Sequence, residues 1–279
     1  MLSLDSTTDL IRPSHLESVD RTARSLFGLE LGQVDLWGAC LDLPMEAVFD
    51  LERSLSSDES QRAARFKFSI DRQRFIAGRG LLRSITGAYL ECDPSAVPIA
   101  YGQFGKPHLA MRPGPKSIFF NLSHSGALAV FAFGRGRELG VDVEQVDCKI
   151  DFHQVSNQFF TSQEVADIMA QPRHGQHLRF FEFWTRKEAL LKALGRGLSM
   201  DLRDLDVSAI GAAAGHAHPQ WLADPKTRWS VRQFVPLPGY IGALATSGGE
   251  VRVVHRDVRW TRAQSGAFVW VQTRTPMEV

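Results

Sequence analysis

The sequence predicts an α+β fold, from two observations and a weak internal likeness. Helical pattern is gathered into two blocks, residues 45–90 and 162–194, rather than alternating strictly with strands. Short strand-like runs follow each block, at 117–146 and 228–257. The segments Phe75-Ile76-Ala77-Gly78-Arg79-Gly80-Leu81-Leu82-Arg83 and Trp184-Thr185-Arg186-Lys187-Glu188-Ala189-Leu190-Leu191-Lys192 are weakly alike, both helical, basic and rich in leucine.

Residues 1–32 read as an irregular leader with one short helical pattern. Val34 to Leu43 alternates as a strand and Pro44 ends it. Met45–Leu55 and then 57–90 read as helices, the second ended by Asp93-Pro94. Gly105-Lys106-Pro107 and Pro113-Gly114-Pro115 mark loops. Ser117–Leu122, Ala127–Phe133 and Leu139–Val146 form three short strands, read as a small antiparallel meander. Helices follow at 162–171 and 177–194, the latter closed by Gly195 as a C-cap. Gly211–Pro219 is a small-residue loop, and strand patterns return at 228–235, 240–246 and 250–257. The chain therefore divides into an N-terminal half, 1–116, with its basic helix at 57–90, a C-terminal half, 117–258, and a tail, 259–279.

Composition bounds the function. The 279 residues suffice for one large core or two modest ones. Lys+Arg number 32 against 31 Asp+Glu, so bulk attraction to nucleic acid is not indicated. Cys40, Cys92 and Cys148 are scattered, with neither metal spacing nor a disulfide framework, which suits a reducing cytoplasm. Asp5, Asp9 and Glu17 break up the N-terminus, which does not read as a signal peptide. The longest apolar run, Ala127–Phe133, is too short to span a bilayer, so no membrane is expected.

The chemistry concentrates in two segments. In Gly140-Val141-Asp142-Val143-Glu144 a strand places Asp142 and Glu144 on one face, about 6.6 Å apart. Two neighbouring acids repel unless a cation lies between them, which points to a divalent metal. At helical spacing Phe180, Phe183, Trp184, Leu190, Leu191 and Leu194 form one apolar stripe, with Glu188 at its edge. Lys187 falls inside that stripe and needs an anionic partner there. Lys192 stands one turn from Glu188, which an ordinary helical ion pair also explains. Asp142, Glu144 and Glu188 around a metal, with lysines beside them, fit a phosphate-bearing ligand best.

Between Arg62 and Arg83 lie seven basic residues and one acid, Asp71. Arg72, Arg79 and Arg83 read as a solvated face. Arg74 shares helical spacing with Gly78, Leu81 and Ile85, and its fork suits a fixed anion or carboxylate. Asn121-Leu122-Ser123-His124-Ser125-Gly126 reads as a turn whose Ser123 and His124 suit phosphate oxygens. No P-loop, nucleophile elbow, His-Glu-x-x-His motif or dinucleotide fingerprint occurs.

Taken in order, Gly105-Lys106-Pro107, Asn121-Leu122-Ser123-His124-Ser125, Gly140-Val141-Asp142-Val143-Glu144, Phe159-Phe160-Thr161-x-x-Glu164 and Trp184-x-x-Lys187-Glu188-Ala189-x-x-Lys192-x-x-Gly195-x-Gly197-Leu198 resemble the 4′-phosphopantetheinyl transferases. The resemblance covers roughly residues 34–246 and is to the larger, Sfp-type branch. It implies two halves related by a pseudo-two-fold, with the active site in the cleft between them. It implies transfer of the phosphopantetheine arm of coenzyme A to a serine of an apo acyl or peptidyl carrier protein, releasing adenosine 3′,5′-bisphosphate. Asp142, Glu144 and Glu188 would hold Mg²⁺, and Glu188, or a water it orients, would deprotonate the serine. Lys192 would stabilise charge on the pyrophosphate. Lys106, Ser123 and His124 would bind coenzyme A phosphates, and Arg74, with Arg62 or Lys67, the 3′-phosphate. Lys187 gains a place near that charge, or else pairs with a buried acid. A cytoplasmic monomer is the implied state. The competing reading is a non-catalytic module that binds coenzyme A or a carrier protein, and the presence of all three acids favours the enzyme.

Overall fold

The computed structural model describes residues 10–11, 28–112, 114, 116–195, 201–208, 215–217, 229–262 and 268–273. In chain order the elements are β1 (Leu10–Ile11), β2 (Gln33–Cys40), α1 (Met45–Glu52), α2 (Ser57–Ala63), α3 (Ser69–Leu90), β3 (Ile99–Tyr101), β4 (Pro107–Leu109), β5 (Ile118–Ser125), β6 (Leu128–Arg135) and β7 (Leu139–Gln145). There follow α4 (Phe152–Phe159), α5 (Ser162–Ala170), α6 (Arg173–Leu194), β8 (Gly215–Ala217), β9 (Trp229–Phe234), β10 (Tyr240–Ser247), β11 (Arg252–Arg262) and β12 (Phe268–Thr273). One sheet runs β1-β12-β11-β2-β6-β5, a second β7-β10-β9-β8, and β3 pairs with β4.

Strand alternation explains how these pieces stack. On β2, Trp37 and Ala39 face a core shared with α1, α2 and α3, while Val34 and Leu36 face the opposite way. On β6, Ala129, Phe131 and Phe133 join the first core, and Leu128, Val130 and Ala132 the other. That middle core also takes Leu139, Val141 and Val143 of β7 and Leu244 of β10. A third core joins Ala243 and Ala245 of β10 to Phe180, Phe183 and Leu190 of α6. The layers thus run α3, first sheet, second sheet, α6, with Asp142 and Glu144 on the face of β7 opposite the middle core.

The long helices end and begin for local reasons. Gly195 closes α6 in the left-handed region at φ 65°, as expected from the sequence. Thr161 and Glu164 form a capping box that starts α5, and Ser56 and Glu59 do the same for α2.

Several expectations are corrected. The 57–90 helix is broken at 64–68, so the basic residues are divided between α2, a loop and α3. Residues 152–159, read as no element, form α4. The expected meander does not close: β5 and β6 pair with each other, but β7 pairs with β10 in the second sheet. Asn121–Ser125 lies within β5 rather than in a turn, and the turn is only Gly126-Ala127. β5 and β6 belong to the sheet of β2, and the two sheets part between β6 and β7, beyond the boundary expected at 116/117. The strand expected at 250–257 also leaves the second half, because β11 lies parallel to β2 from Arg252↔Gln33 to Val258↔Ala39. Residues placed in the tail form the end of β11 and β12. Of the 211–219 loop, 215–217 is strand and the rest lies outside the described residues, as does all of the leader from 1 to 27 except β1.

A buried polar cluster fastens β11 to β2. Asp35 is fully buried; it pairs with Arg256 at 2.8 Å and accepts from Gln33 Nε2 at 2.5 Å and from the Tyr89 hydroxyl. Trp37 Nε1 donates to that hydroxyl at 2.9 Å. Burial together with the Asp35 charge holds the Tyr89 pKa well above its ordinary value.

Candidate active site

Two edge strands meet where the sheets part, and side chains stitch them together. One face of β5 presents Asn121, Ser123 and Ser125 at two-residue spacing. Val141 N donates to Asn121 Oδ1 at 2.8 Å, Ser123 Oγ to Asp142 Oδ1 at 2.8 Å, and Ser125 Oγ to Glu144 Oε2 at 2.7 Å. The acids are therefore held by the first sheet while the second sheet carries them.

Helix α6 brings the remaining groups to the same place, and Gly140 lets it come close. A Cβ built on Gly140 would lie 2.1 Å from Ala189 O and 2.3 Å from Ala193 N, so no side chain fits there. Glu188 and Lys192 precede those two alanines directly. Lys192 Nζ donates to Asp142 Oδ1 at 2.7 Å and to Ser123 Oγ at 2.8 Å. The ordinary helical Glu188–Lys192 ion pair is not what forms: Lys192 crosses to β7 instead.

Electrostatics single out the three carboxylates. Asp142 is 3 % exposed; burial raises its pKa, against Lys192, Ser123 and the Val143 N–H. Glu144 is pushed up to about 7, first by burial and then by the charges of Asp142 and Glu188, with Ser125 and Lys192 opposing. Glu188 is raised by burial and then by Asp142, with Lys192 opposing. Each acid thus lies within electrostatic reach of another, in a setting that disfavours their negative charge. Asp142 Oδ2 is buried with no hydrogen-bond partner among the described residues. Three hard oxygen donors, one of them orphaned, fit a divalent cation such as Mg²⁺. As they stand they are not a closed ligand set, for no three His, Cys, Asp or Glu groups among the described residues converge enough to hold an ion. Lys192 supplies part of the missing positive charge.

The other expected residues are distributed around this cluster. His124 is exposed, yet enough of its ring is shielded that desolvation, followed by the charges of Lys192, Arg79 and Arg74, holds its pKa below the ordinary value. Lys106 is engaged by three oxygens: Ala193 O at 2.9 Å, Leu139 O at 3.2 Å and Glu138 Oε2 at 3.3 Å. It clamps the loop before β4 to the end of α6 and the start of β7. Arg74 holds a carboxylate, Asp42, through two bonds of 2.7 and 2.9 Å. Arg62 and Lys67 are exposed, each against an aromatic ring, Phe75 at 5.5 Å and Phe68 at 5.6 Å.

Of the two places expected for Lys187 the buried ion pair is the one that forms, and the reading of the basic face as solvated is overturned for two of its three arginines. Lys187 is 0 % exposed and pairs with Glu164, also 0 % exposed, at 2.7 Å, so it belongs to the core and not to a ligand site. It donates further to Leu202 O at 2.7 Å and Leu205 O at 2.5 Å, which uses all three ammonium protons. Of the face read as solvated, only Arg72 is exposed. Arg83 is buried, bonded to Glu59 at 2.5 Å and to the carbonyls of Pro94, Ser95 and Val97. Arg79 is half-buried between the rings of Phe75 and Tyr101.

A cavity of about 650 Å³ opens beside these arginines, lined by Asp58, Glu59, Gln61, Arg62, Arg65, Phe66 and Tyr101. A larger one, about 880 Å³, runs past Lys106, Phe120 and Leu194 and contains none of the three acids; its size does not make it the reaction site. Ser125, Arg65 and Tyr101 were missed in the sequence. Ser125 was within reach, because it follows Ser123 by the same two residues by which Glu144 follows Asp142.

Comparison with known proteins fits this geometry. The family described as 4′-phosphopantetheinyl transferase superfamily matches residues 138–245, and that described as 4′-phosphopantetheinyl transferase, N-terminal, matches 44–134. The two matches meet where the sheets part, between β6 and β7. The 4′-phosphopantetheinyl transferase HetI of Nostoc sp. (strain PCC 7120) is 38% identical over 216 residues, covering 77% of this chain and 88% of its own. The 4′-phosphopantetheinyl transferase Sfp of Bacillus subtilis (strain 168) is 28% identical over 175 residues, covering 62% of this chain and 75% of its own. The L-aminoadipate-semialdehyde dehydrogenase-phosphopantetheinyl transferase of Xenopus laevis is 28% identical over 198 residues, covering 66% and 65%. With both halves matched and HetI aligned along most of its length, the chain belongs to the 4′-phosphopantetheinyl transferase superfamily, in its larger Sfp-type branch, and is a 4′-phosphopantetheinyl transferase.

Proposed function

We propose that the protein transfers the 4′-phosphopantetheine moiety of coenzyme A to a serine hydroxyl of an apo acyl or peptidyl carrier protein, releasing adenosine 3′,5′-bisphosphate. The observation that carries this is Asp142, buried with one oxygen tied to Lys192 and Ser123 and the other without a partner among the described residues, beside Glu144 and Glu188. Mg²⁺ at Asp142, Glu144 and Glu188 would supply neutralisation of the pyrophosphate charge.

The chain's own residues account for the rest. Glu188 takes the proton of the incoming serine, directly or through a water, and burial raises its pKa toward that task. The serine oxygen forms a bond to the phosphorus bearing pantetheine while the bond to the bridging oxygen breaks. Lys192, held in place by Ser123, faces the charge that develops on the departing phosphate. His124, whose pKa desolvation and the nearby cations hold below its ordinary value in the free protein, donates a hydrogen bond to a phosphate oxygen. The cavity of Arg62, Arg65, Phe66 and Tyr101 seats the nucleotide, with aromatic walls for a base and guanidinium groups for phosphate. A cytoplasmic monomer, with the two halves related by a pseudo-two-fold about the cleft, completes the proposal.

The test is transfer by Asp142→Ala and Glu188→Gln, followed by the mass of the carrier protein. Both variants are expected to lose transfer while keeping the wild-type circular dichroism. Full activity in either one removes the metal assignment.

A further inference from the structure

The second sheet has an edge that must be covered from outside it. β7 pairs with β10 on one side, so the backbone groups on its other side need partners in other elements. Val141 N has Asn121 Oδ1, and Leu139 O has Lys106 Nζ at 3.2 Å. The same ammonium reaches Ala193 O at 2.9 Å, in the last turn of α6, where carbonyls have no partner within the helix. A cation there also meets the negative end of the helix dipole. The lysine stem passes over the C-cap, with Cδ 3.4 Å from a Cβ built on Gly195.

Lys106 is delivered by a stiff element. β3 and β4 pair from Ile99↔Leu109 to Tyr101↔Pro107. The turn between them is closed by Gly102 N to Lys106 O and Gly105 N to Gly102 O, both 2.9 Å. Pro107 restricts the backbone on either side of its bond to the lysine, and Leu109 of β4 anchors the hairpin in the first core. Three oxygens, the third being Glu138 Oε2 at 3.3 Å, occupy the three protons of the ammonium, so none is left for a phosphate. Lys106 also lines the larger cavity, which contains none of the three acids. What it holds lies directly beside the reacting residues. Ala193 follows Lys192, and Leu139 precedes Gly140, where α6 comes close to β7.

We propose, resting on the transfer reading above, that Lys106 is a positioning residue: from the β3–β4 hairpin it caps α6 and the edge of β7 together and so fixes the contact between Lys192 and Asp142. None of its three bonds goes to Asp142, Glu144, Glu188 or Lys192. Its loss lets the end of α6 shift along β7, and the 2.7 Å bond between Lys192 Nζ and Asp142 Oδ1 loosens with it. The reaction step is then slowed while coenzyme A still binds, because the nucleotide cavity of Arg62, Arg65, Phe66 and Tyr101 is built without α6 or β7. This role replaces the coenzyme A phosphate contact expected of Lys106 from the sequence.

The experiment measures kcat and KM for coenzyme A in wild type, Lys106→Met and Lys106→Arg on one apo carrier protein. Calorimetry adds the Kd of adenosine 3′,5′-bisphosphate, and mass spectrometry the hydrogen exchange along α6. Lys106→Met is expected to lower kcat about 10- to 100-fold, with KM and Kd changed less than ~3-fold. Amide exchange at the end of α6 should quicken at least ~10-fold. Lys106→Arg keeps donors for the two carbonyls and should return kcat to within ~5-fold of wild type. Thermal unfolding checks each variant, and if Lys106→Met does not fold, Lys106→Gln carries the same comparison. A raised KM or Kd at unchanged kcat overturns the proposal and makes Lys106 a phosphate contact. Unchanged kcat and unchanged exchange overturn it as well. A wild type that transfers nothing overturns the transfer reading instead, and exchange at the end of α6 still decides whether Lys106 holds that end.

Discussion

Replacing Lys187 by methionine is expected to destabilise the fold by about 3–5 kcal/mol, the usual consequence of removing one partner from a buried ion pair. The structure says why the value belongs in that range. Lys187 and Glu164 are both 0 % exposed and 2.7 Å apart. Without the ammonium, Glu164 retains the Thr161 N–H at 2.9 Å and the Val207 N–H at 2.9 Å, two neutral donors for a full buried charge. The carbonyls of Leu202 and Leu205 lose their donor as well. Methionine fills much of the lysine stem's volume, so the loss is electrostatic rather than a cavity. Urea unfolding reads the effect, and with a slope of ~2–3 kcal/mol/M the midpoint falls by about 1–2 M. A double variant that also carries Glu164→Leu should lose less than the sum of the two single changes. A Lys187→Met protein with wild-type stability but weakened coenzyme A binding would refute the reasoning and return Lys187 to the ligand site.

Gly140→Ala is expected to displace α6 from β7 and cut transfer at least ~100-fold, since an ångström of misplacement of Glu188 and Lys192 is enough; near-normal transfer rates would contradict the close approach. Arg256→Met leaves Asp35 buried among Tyr89 and Gln33 alone and should cost about 3 kcal/mol in chemical unfolding. Wild-type stability in that variant would mean that β11 is not anchored through this pair. The His124 imidazole should titrate below its ordinary pKa in the free protein, because desolvation and the cations around it favour the neutral ring. Adenosine 3′,5′-bisphosphate adds negative charge and should raise that pKa, which ring-proton NMR shifts against pH would record; a pKa unmoved by the ligand would take His124 out of the phosphate site.

Local patterns in the sequence were good guides where one element sets the answer. Alternation put Asp142 and Glu144 on one face, helical spacing put Lys187 inside an apolar stripe, and Gly195 marked the end of α6. Partners across elements were not legible. Nothing near Lys187 in sequence announces Glu164, because the contact is made by packing α5 on α6. The same holds for β7, whose pattern shows a strand but not that it pairs with β10 rather than β6. Arg79 and Arg83 looked solvated because they lie in a stretch with seven basic residues and one acid, and the groups that shield them come from elsewhere: Tyr101 from β3, Glu59 from α2 and the carbonyls of Pro94, Ser95 and Val97. The strand pattern of β11 was legible over 250–257, but its parallel pairing with the distant β2 was not, and β12, which pairs with β11 and β1, was not read.

The most direct test of the central claim is the intact mass of an apo carrier protein after incubation with this protein, coenzyme A and Mg²⁺, with and without EDTA. The account predicts a gain of one phosphopantetheine that EDTA prevents. No gain on any of several carrier proteins, with coenzyme A still bound, would contradict it.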